Sequence, residues 1–337
     1  MERWKKLLRK ATGRPGGADE VARAFPVRLS PHVLELVKAG SEAIRKQFFP
    51  DPAELASSQD LLSDPLGEEN LSPVPNIVHK YPDRCLFLVS SECAAYCRFC
   101  TRKRKFGCGK GIDPSDLEPG FGYIAKHPAI RDVLVSGGDP FLLDDDRLES
   151  ILERLRKIKH VEIIRIGTRV PFSLPERVTA KLARMLRKYH PIYVNVHLNH
   201  PDELDAKTVK ALERLADAGI PLGSQTVLLK GVNDSVETMR NLMKKLLAAR
   251  VRPYYIFQCD LVFGTDHFRT PLAKGLEIMK GLRCWISGLG VPAFAIDLPG
   301  GGGKVQLVPD SLVSSDKNTL VFDNYLGHPY PYPDVGG

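Results

Sequence analysis

No run of about 18 apolar residues occurs anywhere in this chain, so no membrane-spanning helix is expected. The basic opening MERWKKLLRK is not followed by an apolar core or a small-residue cleavage site, which argues against a secretory signal. Cysteine is scarce. Seven in 337 residues is an odd number and too few for a secreted disulfide scaffold. Three of them crowd together at Cys93, Cys97 and Cys100, while Cys85, Cys108, Cys259 and Cys284 are scattered. That pattern suits a reducing cytoplasm and a ligand set for a metal or cluster. Low-complexity sequence is missing too, apart from four glycines at 300–303.

What is present is ordinary globular composition, 43% hydrophobic and 26% charged, long enough to bury a large core. The net charge of +8 is either a solvated basic surface or a complement to an anionic ligand (a phosphate, a carboxylate or nucleic acid), and charge alone does not choose.

Residues 1–76 read as a mostly helical region. Apolar residues recur at helical spacing within 30–49 (Val33, Leu34, Leu36, Val37), and Asp51-Pro52 and Asp64-Pro65 punctuate the chain. From 77 to 305 short β-rich runs alternate with amphipathic stretches. The runs are CLFLVS (85–90), DVLVS (132–136), EIIRIG (162–167), IYVNVH (192–197), LGSQTVLL (222–229) and PYYIF (253–257), with VPAFAIDL (291–298) closing the series. Helical patterns fall at 147–157, 175–189, 206–218 and 237–249. Successive strand ends lie roughly 30 residues apart, the length of a βαβ unit, and the strands are almost continuously apolar, as parallel strands covered on both faces would be. The expected fold is α/β, a partial parallel barrel of about six βα units rather than eight. Residues 306–337 form a tail rich in Asp, Ser, Pro and Tyr, expected to wrap the surface.

Such folds bind ligands at the carboxyl ends of their strands. The polar residues that follow the β runs are the SSEC segment with Cys93, SGGD (Ser136, Gly137, Gly138, Asp139), Thr168-Arg169, His197, Gln225, Asp260 and Asp297. Their convergence at one end of a sheet predicts an active site.

The segment SSECAAYCRFCTRKR gives Cys-x3-Cys-x2-Cys directly after the first β run. A structural zinc site takes four ligands, usually as two cysteine pairs, and no second pair is present. Three thiolates can hold a four-iron cluster and leave one iron open, with Tyr96 and Phe99 in the loop to exclude water. Zinc and a metal-free thiol group remain alternatives at this point. The segment DLPGGGGKV is not a P-loop: Leu298 stands where the first glycine belongs, and Val305 replaces the Ser or Thr. Lys304 is then either a solvated surface lysine or, delivered after a strand, an amine nucleophile.

The cysteine spacing, with an aromatic before the last cysteine, resembles the radical S-adenosylmethionine superfamily, and SGGD resembles the loop that holds the methionine amino group there. The long blocks KYPDR, RDVLVSGGDP, HVEIIRIGTR, YHPIYVNVHLNHP, ADAGIPLGSQTVLLKGVND, RVRPYYIFQCDL, DHFRTP and DLPGGGGK resemble the lysine 2,3-aminomutase family. The resemblance runs from about residue 72 to 309. It implies a 4Fe-4S cluster on Cys93, Cys97 and Cys100, S-adenosylmethionine against it, and pyridoxal phosphate in Schiff-base linkage to Lys304. It also implies that Arg84, helped by Lys80, binds the cofactor phosphate, and that Arg102 grips the substrate carboxylate. Asp260 and Asp297 would take the side-chain ammonium of lysine, and His197 and Gln225 fall at pocket positions. The implied activity is 2,3-amino migration in lysine through a 5′-deoxyadenosyl radical, in a cytoplasmic homo-oligomer fed electrons by a reductase, flavodoxin or ferredoxin.

The family's additional zinc-binding cysteines are not matched: Ser235 stands at one such position and no cysteine follows Cys284, so a structural zinc is not expected. The rival readings are the same chemistry on glutamate or arginine, a role in β-lysylation of elongation factor P, and a metal-stapled nucleic-acid-binding module suggested by RKRK at 102–105.

Overall fold

The computed structural model describes residues 17–56, 58, 60–105, 116–316 and 319–333. Cys108 lies outside the described residues. Nine strands form one sheet in strictly sequential order: β1 (Ile77–Tyr81), β2 (Arg84–Ser90), β3 (Asp132–Gly137), β4 (Ile163–Thr168), β5 (Ile192–His197), β6 (Leu222–Leu228), β7 (Arg252–Gln258), β8 (Ala293–Leu298) and β9 (Gly303–Leu307). The seven strands β2 to β8 are parallel, matching the seven β runs, and β1 and β9 close the two edges antiparallel. The architecture is an α/β, nearly closed, barrel-like sheet.

The helices follow from local signals. Ahead of the sheet come α1 (Gly17–Ala24), α2 (Pro31–Lys38) and α3 (Glu42–Phe48); the crossovers carry α4 (Glu118–Lys126), α5 (Asp145–Lys157), α6 (Val170–Ser173), α7 (Ala180–Arg187), α8 (Ala206–Asp217), α9 (Val236–Ala248) and α10 (Leu272–Leu282). Side chains of Ser30, Ser41, Thr179, Asp205 and Ser235 cap α2, α3, α7, α8 and α9, each accepting from one of the first-turn backbone N–H groups that would otherwise be unpaired. Ser235 is thus a helix cap. The single helical pattern at 30–49 is two helices, broken between Ala39 and Ser41.

Six crossovers join the seven parallel strands, as the count of βα units required. The burial is not continuous on both faces, however. Val133, Val135, Ile164, Ile166, Ile192 and Val194 are fully buried in one core with Leu148, Leu152 and Leu155 of α5, whereas the alternate residues Leu134 and Arg165 line a cavity. The inner face therefore carries polar groups, and Arg165 pairs with Asp132 there at 2.8 Å.

The C-terminal residues do not simply wrap the surface. They make a separate three-stranded antiparallel sheet of β10 (Leu312–Asp316), β11 (Thr319–Asp323) and β12 (Pro329–Pro333). Among the described residues no helix is long and apolar enough to cross a membrane.

Candidate active site

The cysteine loop leaves the end of β2 and is tied down by the helical region before the sheet. Tyr96 N–H donates to the Arg28 carbonyl at 2.9 Å, and Arg98 N–H donates to the Gln47 carbonyl at 2.9 Å. The Arg98 guanidinium is buried against the fully buried Glu54, at 2.7 to 3.1 Å. Cys93, Cys97 and Cys100 line one small cavity together with Tyr96 and Phe25, and Phe99 is packed away beneath them. Burial raises the thiol pKa of both Cys93 and Cys100. Among the described residues no three Cys, His, Asp or Glu side chains converge tightly enough for a single metal ion. Three thiols arranged around a cavity fit a larger group, and thiolate donors suit an iron–sulfur cluster among the soft metals.

The SGGD loop at the end of β3 abuts the cysteine loop. Gly138 N–H donates to the Ser90 carbonyl and Asp139 N–H to the Glu92 carbonyl, both at 2.6 Å. A Cβ on Gly137, at φ +132°, would sit 2.2 Å from the Ser90 carbonyl oxygen, and one on Gly138 would sit 2.3 Å from that of Glu92. Only glycine allows this approach. The Asp139 carboxylate is committed elsewhere: it accepts from Thr168 Oγ1 and from the N–H groups of Phe141, Arg169 and Val170. It thus joins the ends of β3 and β4, and burial pushes its pKa up to about 6. Ser136 and the loop backbone are what this segment offers a ligand.

His197 ends β5 and pairs in register with Gln225 of β6. Its ring lies 5.5 Å from that of Phe99, Nε2 is 3.1 Å from Asn199 Oδ1, and burial followed by the charge of Arg169 lowers its pKa to about 3.

A cavity of about 530 Å³ opens inside the sheet. Five residues singled out above line it: Lys80, Arg84, Arg102, Asp297 and Lys304. Lys304 is not on a mobile glycine loop. The glycines turn the chain from β8 into β9, and Lys304 on β9 faces Asp297 on β8 as its direct cross-strand partner. Its ammonium donates to both carboxylate oxygens, at 2.9 and 2.7 Å, and lies over the Phe257 ring at 4.4 Å. Its backbone N–H donates to Tyr81 Oη at 3.1 Å, linking the two edge strands. Arg84 stacks on Tyr81 at 4.1 Å and pairs with Asp83 at 2.8 Å.

Arg102 is held by a residue that sequence reasoning missed. Its Nε and Nη2 bond the buried Glu68 at 2.6 to 3.0 Å. Burial alone would raise the Glu68 pKa, but Arg102, Lys105 and Arg104 hold it below its ordinary value. Asp260 sits apart from the main cavity, in a neighbouring one of about 280 Å³ that Asp297 also lines. Burial, then the charge of Asp297, raises the Asp260 pKa to about 7, against the opposing pull of Lys304, Lys80 and Arg102. Nothing in the sequence marked Glu68; Tyr255, which also lines the cavity, lay within RVRPYYIFQCDL, and Tyr81 within KYPDR.

The sequence model described as the radical SAM superfamily matches residues 87–243, and that of the C-terminal part of lysine-2,3-aminomutase matches residues 279–335. An L-lysine 2,3-aminomutase of Fusobacterium nucleatum is 47% identical over 330 residues, 97% of this chain and 78% of that protein. One of Methanococcus maripaludis is 48% identical over 308 residues, 90% of this chain and 71% of that protein. A glutamate 2,3-aminomutase of Clostridioides difficile is 42% identical over 311 residues, 91% and 74% of the two chains.

Proposed function

The chain belongs to the lysine 2,3-aminomutase family within the radical SAM superfamily, and we propose that it converts L-lysine to L-β-lysine by moving the amino group from C2 to C3. The observation that carries this reading is the Lys304–Asp297 pair in a cavity that also holds Lys80, Arg84 and Arg102. A lysine amine for an aldehyde cofactor, cations for its phosphate and a guanidinium for a carboxylate stand around one space.

The residues fit both cofactor sets. Cys93, Cys97 and Cys100 would hold a 4Fe-4S cluster; Ser136, the Gly137-Gly138 backbone, His197 and Gln225 would contact S-adenosylmethionine; Lys304, Arg84 and Lys80 would hold pyridoxal phosphate. When bound, these groups supply hydrogen abstraction and an electrophilic carbon that binds amines.

The chain's own part is binding, orientation and exclusion of water. Arg102 offers Nη1 to the substrate carboxylate while Glu68 fixes the rest of its fork. Asp260 and Asp297 give the far end of the site two carboxylates, and a desolvated ε-ammonium needs that fixed negative charge. A glutamate side chain would instead meet like charge, which is why lysine is favoured over the substrate named for the Clostridioides relative. Asp297 then has two partners in turn: Lys304 in the resting chain and the substrate ammonium once Lys304 is engaged. The segment around Leu66 and Leu71 walls the cavity, and the Gly300 N–H donates to the Pro65 carbonyl at 3.0 Å to hold it there. A cytoplasmic homo-oligomer served by a low-potential flavodoxin, ferredoxin or reductase completes the proposal.

The reading is tested by anaerobic reconstitution with iron, sulfide and pyridoxal phosphate, followed by incubation with S-adenosylmethionine, a low-potential reductant and a panel of amino acids. Lysine should be converted and glutamate left unchanged; the reverse would overturn the substrate reading.

A further inference from the structure

Behind the cysteine loop lies a buried polar network centred on the guanidinium of Arg169, the residue that follows β4. Its Nη1 donates to Cys97 Sγ at 2.7 Å. Its Nη2 donates to Gln47 Oε1 at 2.7 Å and to Glu203 Oε2 at 3.1 Å. Gln47 and Glu203 are fully buried, and Arg169 is 8% exposed. Gln47 Nε2 donates to Glu203 Oε1 at 2.8 Å, and Asn199 Nδ2 to Gln47 Oε1 at 2.9 Å, so the partners brace one another. The rings of Phe48, Phe99 and Phe172 surround the guanidinium at 4.6 to 5.4 Å. A full positive charge is thus kept dry and aimed at one cysteine sulfur. Cys100, by contrast, receives a backbone N–H from Arg102 and feels the charges of Arg102 and Lys103, with no side-chain donor to its sulfur among the described residues.

We propose that Arg169 is a positioning residue that sets the reduction potential of the cluster through its bond to Cys97, with Glu203 as the counter-charge that limits the effect. A cluster gains one negative charge when it takes an electron. A donor and a cation against its thiolate favour that more negative state and raise the potential; a buried carboxylate behind the cation opposes it. Low dielectric around the aromatic rings leaves both effects poorly screened. Because Gln47 belongs to α3 and Glu203 to the turn after β5, the arrangement also couples the potential to the seating of the helical region. This rests on the cluster reading of Cys93, Cys97 and Cys100.

The test is an EPR-monitored redox titration of the reconstituted holoenzyme, with iron measured on each sample. In Arg169→Met/Glu203→Gln one positive and one negative charge leave together, so net charge is kept and the donor to Cys97 is lost. Its midpoint potential should fall below wild type with iron retained. In Glu203→Gln the arginine stays and its counter-charge goes, so the potential should rise. A double variant with full iron and a potential at or above wild type would overturn the proposal, as would a Glu203→Gln potential equal to or below wild type. The single variant decides alone if the double variant does not take up iron. Wild-type protein that binds no iron would instead remove the cluster reading beneath it.

Discussion

Lys304 and Asp297 are direct cross-strand partners on β8 and β9, with the ammonium within 2.9 Å of both carboxylate oxygens. The pairing makes the glycine run intelligible. Its work is a turn tight enough to fold β9 back on β8 in that register, so that the amine enters the cavity from a strand and not from a loop. It also gives Asp297 a resting partner with the same charge as the ammonium it is proposed to receive.

Asp297→Asn and Asp260→Asn should therefore keep iron and pyridoxal phosphate and lose turnover of lysine. Leaving a buried charge unpaired costs ~3–5 kcal/mol, so kcat/KM for lysine should fall by roughly 10²–10⁴-fold. Steady-state kinetics on lysine and on an uncharged analogue of similar length separate the two roles. Equal losses on both substrates would mean the carboxylates only support the fold.

Asp260 also predicts a pH dependence. With its pKa raised to about 7, the empty site holds this group protonated below neutrality, where it cannot pair with an ammonium. Specificity for lysine should decline as pH is lowered through about 7, roughly tenfold per unit beyond it, and Asp260→Asn should flatten that limb. The same shift bears on stability. Between the ordinary aspartate range and 7 the folded chain binds a proton the unfolded chain has released, so stability from this group is present at the acid end and declines as pH rises toward 7. A kcat/KM profile that is level from pH 6 to 8 in the wild type would contradict the assignment.

Borohydride should fix pyridoxal phosphate to Lys304, and Lys304→Ala should abolish the label while leaving iron content intact. Arg84→Ala should keep the site of labelling and weaken cofactor retention. Peptide mapping checks both, and a label on another lysine would refute the role given to Lys304.

Cys93→Ala, Cys97→Ala or Cys100→Ala should each lose the cluster and the activity together. Replacing Cys85, Cys108, Cys259 or Cys284 should leave about four irons per chain. Iron analysis after anaerobic reconstitution distinguishes the two sets.

The parallel strands were legible because each is a short apolar run ended by polar residues, and their sequential order follows from βαβ connections. The edge strands were not. Residues 77–81 and 303–307 carry Lys80, Tyr81, Lys304 and Gln306 toward a cavity, so their alternation reads as polar sequence. Strands β10 and β12 are exposed throughout and β11 is only half-buried, so none has a buried face to print a pattern. At the site, the cysteines, Lys304 and the aspartates carry chemistry in their spacing or in family blocks. Glu68, Gln47 and Glu203 act through partners 34, 122 and 34 residues away in sequence, at Arg102 and Arg169, and pairing at that separation leaves no local trace. Asp139 shows the converse: the motif pointed to a ligand, but three donors at the end of β4 and one from its own loop already occupy its carboxylate.

The central claim is that nitrogen moves from C2 to C3 of lysine. It is tested most directly by incubating the reconstituted enzyme anaerobically with [2-¹³C, α-¹⁵N]-L-lysine, S-adenosylmethionine and a low-potential reductant, and following the carbon–nitrogen coupling by NMR. The account predicts loss of the one-bond coupling at C2 and appearance of β-lysine with ¹⁵N on C3. Lysine recovered with its label still on C2, from protein carrying full iron and pyridoxal phosphate, would contradict it.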